Sequence, residues 1–447
     1  MATKHFHEFR DPLHVFIKID SDERKVVDSP PFQRLRYIHQ LATSYLVYPG
    51  AKHTRFEHSL GVMEVASRIY DVVTHPNHIH PLIKEQLPEI SHPDKVSYWR
   101  RVLRMAALCH DLGHLPFSHA AEKELLPDGW NHETLTVEFI RSDAMRSIWE
   151  NLTPPLREKD ILKLAVGPKK LPGEEFSIWE TILAEIIVGN AFGADRIDYL
   201  LRDSYYAGVS YGRFDHFRLI DSLRILPAVL DDQGISREPA LGVEEGGIHS
   251  AEALLLARYF MYTQVYFHPV RRAYDVHLMD FLRAYLPDGH FPVKAGELQL
   301  LNDNHYLARL WDIASDKDRP LYYLAERLVN RKHFKLLYSR NPLDICIYPQ
   351  ACEAIYMALQ QEFGSEYVRR DAYTEKGTQL EFPVLRNDGS IVSSYVISDV
   401  LGNLPVASFD YIFIAPELLS KAEKWLENRK TVILQQAAEE LIKSGED

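Results

Sequence analysis

Apolar positions recur at helical spacing through most of this chain, and at strand spacing in only a few short segments. The first strand-like segment is His14-Val15-Phe16-Ile17-Lys18-Ile19, which reads as a short strand or hairpin within residues 1–20. Ser29-Pro30-Pro31 then opens a helix, because proline in a first turn loses no intrahelical bond. Val62, Val65, Ile69 and Val72 give residues 58–73 one apolar helical face. Residues 75–97, rich in proline and histidine, read as a loop excursion. Residues 98–112 read as a helix that ends in His110-Asp111, where Gly113 and Pro116 break it. Residues 130–149 read as helix, 151–176 as a mobile connection around one short helix, and 177–205 as helix again. After a turn-rich stretch at 227–247, Ser250 begins a long helix that Pro269 should kink. Residues 276–340 look helical.

The pattern changes near residue 341. The turn signal Asn387-Asp388-Gly389 precedes the strand-like run 391–397, Phe409–Ile414 is also strand-like, and a last helix covers about 417–443. The expectation is therefore a mainly α protein. An all-α catalytic body, residues 1–340, precedes a smaller α+β C-terminal region, residues 341–447, with a regulatory or oligomerisation role.

Composition narrows the class. The chain has 447 residues, room for two or three domains, and 51 basic against 63 acidic residues give a net charge of −12. That balance argues against a general nucleic-acid or anionic-membrane binder, though it leaves room for a local basic pocket. Three cysteines, Cys109, Cys346 and Cys352, fit reduced thiols and a cytoplasmic location rather than a disulfide framework. The N-terminus lacks the apolar core of a signal peptide, and no apolar run approaches the roughly 20 residues of a membrane span.

The candidate chemistry centres on Cys-His-Asp-Leu-Gly-His-Leu-Pro-Phe-Ser-His, residues 109–119. Adjacent imidazole and carboxylate at His110-Asp111 can grip one divalent metal. His58 lies upstream in His53-Thr54-Arg55-Phe56-Glu57-His58, and Asp195 lies downstream in Gly193-Ala194-Asp195-Arg196-Ile197-Asp198-Tyr199. The order His, His-Asp, Asp resembles the signature of the HD superfamily of metal-dependent phosphohydrolases. The resemblance implies an HD-type helical core around residues 50–205, with His58, His110, Asp111 and Asp195 as metal ligands. Mg, Mn, Fe, Zn and Ni are not distinguished. Such a metal lowers the pKa of a bound water from about 15.7 toward about 7–9 and neutralises phosphoryl charge. His114, His119 and His132 are candidates for phosphate contact and general acid catalysis, since a histidine near neutrality can protonate a leaving oxygen. For His114 and His119, merely ordering the ligands from behind is an equal alternative. His75, His78, His80 and His92 are irregularly spaced among prolines and read as a solvated loop, not a further metal site.

Longer strings sharpen the resemblance. Asp28-Ser29-Pro30-Pro31-Phe32-Gln33-Arg34-Leu35-Arg36-Tyr37-Ile38-His39-Gln40-Leu41, Tyr48-Pro49-Gly50-Ala51 and His53–Val62 look like the deoxynucleoside triphosphate triphosphohydrolase branch. That branch holds bacterial dNTPases and the vertebrate enzyme that joins a sterile-alpha-motif to an HD domain. The likeness is clear over roughly residues 5–275 and loose beyond. It implies cleavage of a dNTP at the α-phosphate, giving deoxynucleoside and inorganic triphosphate. It also implies His132 as the catalytic histidine, with Arg55, His114 and His119 contacting phosphate. Arg196 stands where relatives often have Lys; an Arg binds triphosphate with a fork, a Lys as a point charge. Tyr199 and Asp203 match positions near the phosphate and the sugar 3′-hydroxyl, and Gln40 and Leu41 match positions lining sugar and base. Tyr274 matches an aromatic under the deoxyribose that leaves no room for a 2′-hydroxyl. From spacing alone, Tyr274 reads as core, and Arg34 and Arg36 as a solvated helix face.

The chain also departs from the vertebrate pattern. Asp275 follows Tyr274 where that relative has Gln, and Tyr266 replaces a phosphate-binding Arg. Asp28, Gln33 and Arg36 match its allosteric nucleotide site, yet His7 stands where a Lys precedes the Asp-Pro motif. The resemblance implies a GTP or dNTP activator and a homotetramer. Two alternatives stay open: another HD phosphohydrolase, such as a 5′-nucleotidase or cyclic-nucleotide phosphodiesterase, and a nucleotide-sensing regulator with vestigial activity.

Overall fold

The strand-like alternation at the N-terminus becomes an antiparallel hairpin, Phe6–Asp11 against Val15–Asp20, with Ile17 and Ile19 turned inward. A computed structural model describes residues 6–227, 238–374 and 381–444. It is mainly α. The chain divides into two units: Met1–Met261 with Phe291–Asn304 and Thr378–Pro405, and Tyr262–His290 with His305–Gly377 and Val406–Asp447. The composition change near residue 341 falls inside the second unit.

The first unit is built around the helix Arg55–Val73. Thr54 precedes it, and Glu57 turns back to accept the Thr54 N–H at 2.9 Å, a capping box that fixes the entry. Apolar residues bury on every side of this helix, including Phe56, Leu60, Val62, Met63, Val65, Ile69 and Tyr70. Its valines and its one isoleucine are indifferent helix formers, so packing holds it; each such buried side chain contributes about 1.5–3 kcal/mol. The helices Pro93–Cys109 and Ala194–Ala207 pack against it. Arg104 ties the N-terminal segment to this core, donating to Glu23, to Lys18 O at 2.8 Å and to Ser67 Oγ at 2.6 Å. A four-stranded sheet in the same unit runs in the order Leu223–Leu226, Ala240–Glu244, Pro383–Leu385, Ile391–Ser393.

The second unit carries a three-stranded antiparallel sheet with Ser408–Ile414 between Lys335–Ser339 and Val368–Thr374. Ile355, Leu359, Val368, Ile412, Ile414 and Leu434 form its core between that sheet and the helices Ala351–Phe363 and Leu419–Ser444.

Several expected elements take other forms, for local reasons. Residues 75–97 are short helical turns rather than loop: Pro76, Pro81 and Pro88 each open one, and Pro93 opens the long helix earlier than position 98. Proline starts helices as readily as it stops them. That long helix ends at Cys109, so His110 is its C-terminal cap and Asp111 lies in the following turn. The helix expected at 130–149 is two, His132–Ile140 and Asp143–Glu150, and that at 177–205 is also two, Ile178–Val188 and Ala194–Ala207. Pro269 begins a new helix, Pro269–Tyr285, after a π-helical turn at Tyr262–Tyr266. Residues 276–340 include the strand Lys335–Ser339. The strand at 391–397 stops at Ser393, whose hydroxyl caps the helix Ser394–Ile397. Of the turn-rich stretch 227–247, residues 228–237 lie outside the described residues. Among the described residues no helix is long and apolar enough to cross a membrane.

Candidate active site

Three segments of the first unit meet at one buried point. The helix Arg55–Val73 brings His58, the turn after Cys109 brings His110 and Asp111, and the first turn of Ala194–Ala207 brings Asp195. Donor atoms of His58, His110 and Asp111 all lie within 4.8 Å of one another. Asp195 joins them: its Oδ1 is 3.0 Å from His58 Nε2 and 3.7 Å from His110 Nε2. Asp195 keeps 34% side-chain exposure and so faces solvent, whereas the other three are buried.

The tautomer of His110 suits a metal. Its Nδ1 donates to the Ala107 carbonyl at 2.7 Å, which leaves the Nε2 lone pair free, and that buried Nε2 has no hydrogen-bond partner among the described residues. Two imidazoles and two carboxylates form a donor set that hard or borderline divalent cations accept. The electrostatics agree. Burial opposes charge on His58, yet hydrogen bonds to Asp195 and Asp198, with Asp111 nearby, raise its pKa to about 10. Burial alone would raise Asp195, but His110 and His58 hold its carboxyl below the usual range. A cluster that favours positive charge this strongly favours a cation, which competes with the proton for the same ligand atoms.

Beside this point lies a second histidine cluster: His114, His119, Glu122 and His132. Glu122 sits between two imidazoles. It accepts from His132 Nδ1 at 2.6 Å and from His119 Nδ1 at 3.0 Å, and its Oε1 also accepts the His132 backbone N–H at 2.9 Å. His114 stacks on His132 with ring centroids 4.3 Å apart. Burial opposes a charge on His132, but Glu122 raises its pKa above the ordinary value and so favours the protonated ring. Burial and Arg55 push His114 the other way, well below its ordinary value, so it stays neutral. The two stacked rings are thus pushed in opposite directions, His132 toward its proton and His114 away from it.

Asp111 joins the two clusters. Its Oδ2 accepts from Arg55 Nη1 at 2.6 Å, and its Oδ1 lies 3.2 Å from His114 Nε2. Burial would raise its pKa; Arg55, His110 and His114 hold it far down. Gly113 makes the join sterically feasible. A Cβ there would stand 2.1 Å from His132 O and 2.3 Å from Thr136 N. Its N–H donates to Thr136 Oγ1 at 3.0 Å, and that hydroxyl donates to His110 O at 3.1 Å, stitching the turn to the helix His132–Ile140. The backbone between the clusters is strained: Phe117 and Ser118 take φ of 63° and 52°. Asp303 accepts the Phe117 N–H at 2.7 Å, and Arg55 Nε donates to Ser118 Oγ at 3.1 Å, so neighbours hold the strain in place.

The remaining candidates divide. Arg196 Nε and Nη1 and Gln40 Oε1 are buried without hydrogen-bond partners among the described residues, as groups awaiting a ligand would be. Leu41 is buried and Tyr199 half-buried. Asp203 is engaged by His53 Nε2 at 2.7 Å. Tyr274 belongs to the second unit, where its ring lies 4.5 Å from that of His333 and its buried hydroxyl has no partner. Asp28, Gln33 and Arg36 lie near the N-terminus: Arg24 Nε donates to Asp28 at 3.0 Å, Arg36 Nε to Gln33 Oε1 at 2.9 Å, and the Arg36 guanidinium sits 3.4 Å over the Phe56 ring. Sequence reasoning missed Glu122. The spacing His119-x-x-Glu122, i to i+3 on a helix, was the available signal.

Comparison with known proteins places this geometry. Residues 55–167 match the HD domain family and residues 214–342 the HD associated region. The Bacillus subtilis protein YwfO, whose name says only that it is uncharacterized, is 31% identical over 350 residues, covering 73% of this chain and 71% of its own length. The chain belongs to the HD-domain phosphohydrolases. Human SAMHD1, named a deoxynucleoside triphosphate triphosphohydrolase, is 32% identical over 301 residues, covering 61% of this chain and 44% of that protein. The chain thus spans less than half of that relative's length. A hypothetical protein from Aquifex aeolicus has a crystal structure with a TM-score of 0.75 to this chain, at 32% identity, covering 94% of this chain and all of that one. As an HD-domain phosphohydrolase the protein takes a divalent metal.

Proposed function

We propose that this HD phosphohydrolase is a dNTP triphosphohydrolase, with His58, His110, Asp111 and Asp195 as metal ligands. One observation carries the reading: a cation-favouring cluster and a protonated, carboxylate-held histidine stand side by side, joined by Asp111. Phosphoester hydrolysis with a poor alkoxide leaving group needs both parts.

A divalent cation held there supplies Lewis-acid activation of water and neutralises charge on the phosphoryl oxygens. The chain's own residues do the rest. Water oxygen adds to the α-phosphorus and releases one proton to solvent, the P–O5′ bond breaks, and His132 delivers its proton to the departing O5′ and is reprotonated from solvent. Glu122 fixes the His132 ring through Nδ1, so Nε2 is the nitrogen left to donate. Arg196, His114 and His119 hold the triphosphate, and Arg55 holds Asp111 while offering charge to the same region. Gln40, Leu41, Tyr199 and Asp203 line the sugar and base. Asp28, Gln33 and Arg36 form an activating nucleotide site for GTP or a dNTP on a cytoplasmic homotetramer, to which residues 341–447 contribute regulation or assembly.

The test incubates metal-loaded protein with each dNTP, alone and in pairs, and separates the products by chromatography. Deoxynucleoside and inorganic triphosphate in equal amounts are expected. Release of single phosphates or cleavage of cyclic nucleotides would replace this reading with another HD phosphohydrolase.

A further inference from the structure

Behind His58 lies a buried polar network that the reaction above does not use. The His58 Nδ1 faces Asp198 Oδ2 at 2.9 Å. The same carboxylate takes Arg202 Nε at 2.8 Å on Oδ2, and Arg202 Nη2 at 3.0 Å and His14 Nε2 at 2.8 Å on Oδ1. Arg202 Nη1 continues to Asp11 Oδ2 at 2.8 Å. Asp11 Oδ1 accepts the backbone N–H groups of Leu13 and His14 at 2.8 and 2.9 Å, closing the hairpin turn over the network. All five side chains are buried.

The chemistry of this arrangement is restrictive. The Arg202 guanidinium spans both oxygens of Asp198, and a carboxylate paired in this way only accepts. Each of its oxygens already takes two contacts, so the His58 Nδ1 must carry a proton toward it. The His58 Nε2 is then the nitrogen turned to the cluster, 3.0 Å from Asp195 Oδ1, where a cation would take the place of its proton. Asp195 and Asp198 are one turn apart on the same helix, so a single turn clamps both nitrogens of one ring. The chain leaves room for the clamp. A Cβ on Gly61, one turn beyond His58, would fall 2.0 Å from Asp198 Oδ1 and 2.4 Å from Arg202 Nη2. With Asp11 and Asp198 against Arg202, the network holds one net negative charge behind the ligand, which makes the imidazole a better donor to a cation.

We propose that Asp198 is the positioning residue for His58, and that His14 and Asp11 of the N-terminal hairpin complete its support, making that hairpin part of the metal centre. This rests on the reading of His58 as a metal ligand. Outer carboxylates of this kind are worth about 10–100-fold in metal affinity where they fix a ligand histidine.

The experiment titrates the full chain with Mn²⁺ alone and reads free Mn²⁺ by electron paramagnetic resonance, with circular dichroism and thermal melts on each sample. Asp198→Asn, which replaces an acceptor by a donor beside His58, should weaken Mn²⁺ binding by about 10–100-fold while the protein stays folded. Asp160→Asn removes a different buried carboxylate, one bound to Tyr98 and Arg157, and should leave Mn²⁺ affinity at the wild-type value. His14→Gln acts from the hairpin and should cost a smaller factor, about 3–10-fold; it also decides the matter if Asp198→Asn does not fold. Wild-type affinity in folded Asp198→Asn, or in folded His14→Gln where the first variant cannot be read, overturns the positioning role and leaves the metal site standing. No Mn²⁺ binding by the wild-type chain overturns the ligand assignment itself, and this inference with it.

Discussion

The two histidine clusters adjoin and share Asp111, yet they are built in opposite ways. The His58–His110–Asp111–Asp195 cluster draws its members from three distant segments and leaves a buried imidazole nitrogen without a partner. The His114–His119–Glu122–His132 cluster comes from one stretch of 19 positions and centres on a carboxylate that accepts from two rings. The first is arranged to hold a cation, the second to hold a proton. On the proposed function, two histidine-rich groups a few ångströms apart divide the labour of phosphoester hydrolysis, and that division can be broken from either side.

The largest effect is expected from His110→Ala, which removes the nitrogen that has no protein partner. Bound metal, measured by elemental analysis of dialysed protein, should fall to background, and nucleotide hydrolysis should vanish with it. A variant that keeps both metal and turnover would remove the first half of the comparison. Next comes His132→Ala. Loss of a general acid costs about 10²–10⁴-fold in kcat, and here metal content should stay at the wild-type level. Parallel loss of metal and activity in both variants would show that the clusters are one site with one function.

Gly113→Ala tests the join rather than either cluster. The added Cβ meets backbone atoms at 2.1–2.7 Å, which cannot swing away as a side chain does. The helix His132–Ile140 must shift, at about 1–3 kcal/mol by the usual cost of overpacking. The melting temperature should drop and kcat should fall, while metal content should change least, because no metal ligand lies on the displaced helix. An unchanged melting temperature would mean that the turn and the helix are less tightly apposed than their contacts imply.

This contrast also explains what the sequence revealed. His58, His110, Asp111 and Asp195 were legible because they recur in a fixed order within long matching strings, whatever their distance in the chain. His132 and its neighbours were legible for the same reason. Glu122 was not, because one carboxylate on a short helix carries no signal until the His132 ring is seen against it. Asp11, His14, Asp198 and Arg202 escaped notice because their contacts span up to 191 positions and follow from packing, not spacing. The helical character of residues 58–73 was legible from apolar periodicity, and residues 177–205 read as helix without the break between their two helices. The boundaries at 75–97 and 269 were not, because proline marks helix starts and stops alike. The interleaving of the two units had no local signature: Pro383–Leu385 pairs in parallel with Ala240–Glu244, strands about 140 positions apart.

The smallest effect, and the sharpest test of the proton-holding half, is the pH response of Glu122→Gln. In the native protein Glu122 raises the pKa of His132 from its ordinary value of 6.5, and the two histidines pull the Glu122 value below its ordinary 4.5. The signs set a window. The raised histidine contributes stability that is full below pH 6.5 and is lost as pH climbs through its folded value. The depressed glutamate contributes stability that is full above pH 4.5 and is lost as pH falls through its folded value. Between the two the pair is fully formed. Glutamine cannot supply the charge, so His132 returns toward its burial-dominated value and loses its proton earlier as pH rises. The alkaline limb of the kcat–pH profile should therefore move to lower pH in Glu122→Gln, with kcat at the acidic side reduced by about 10-fold or less, because an amide oxygen still orients the ring. The melting-temperature difference from wild type should be largest between the two ordinary values and shrink outside them. An alkaline limb that stays in place would mean that some other group carries the proton, and that the carboxylate between the two rings is there for packing alone.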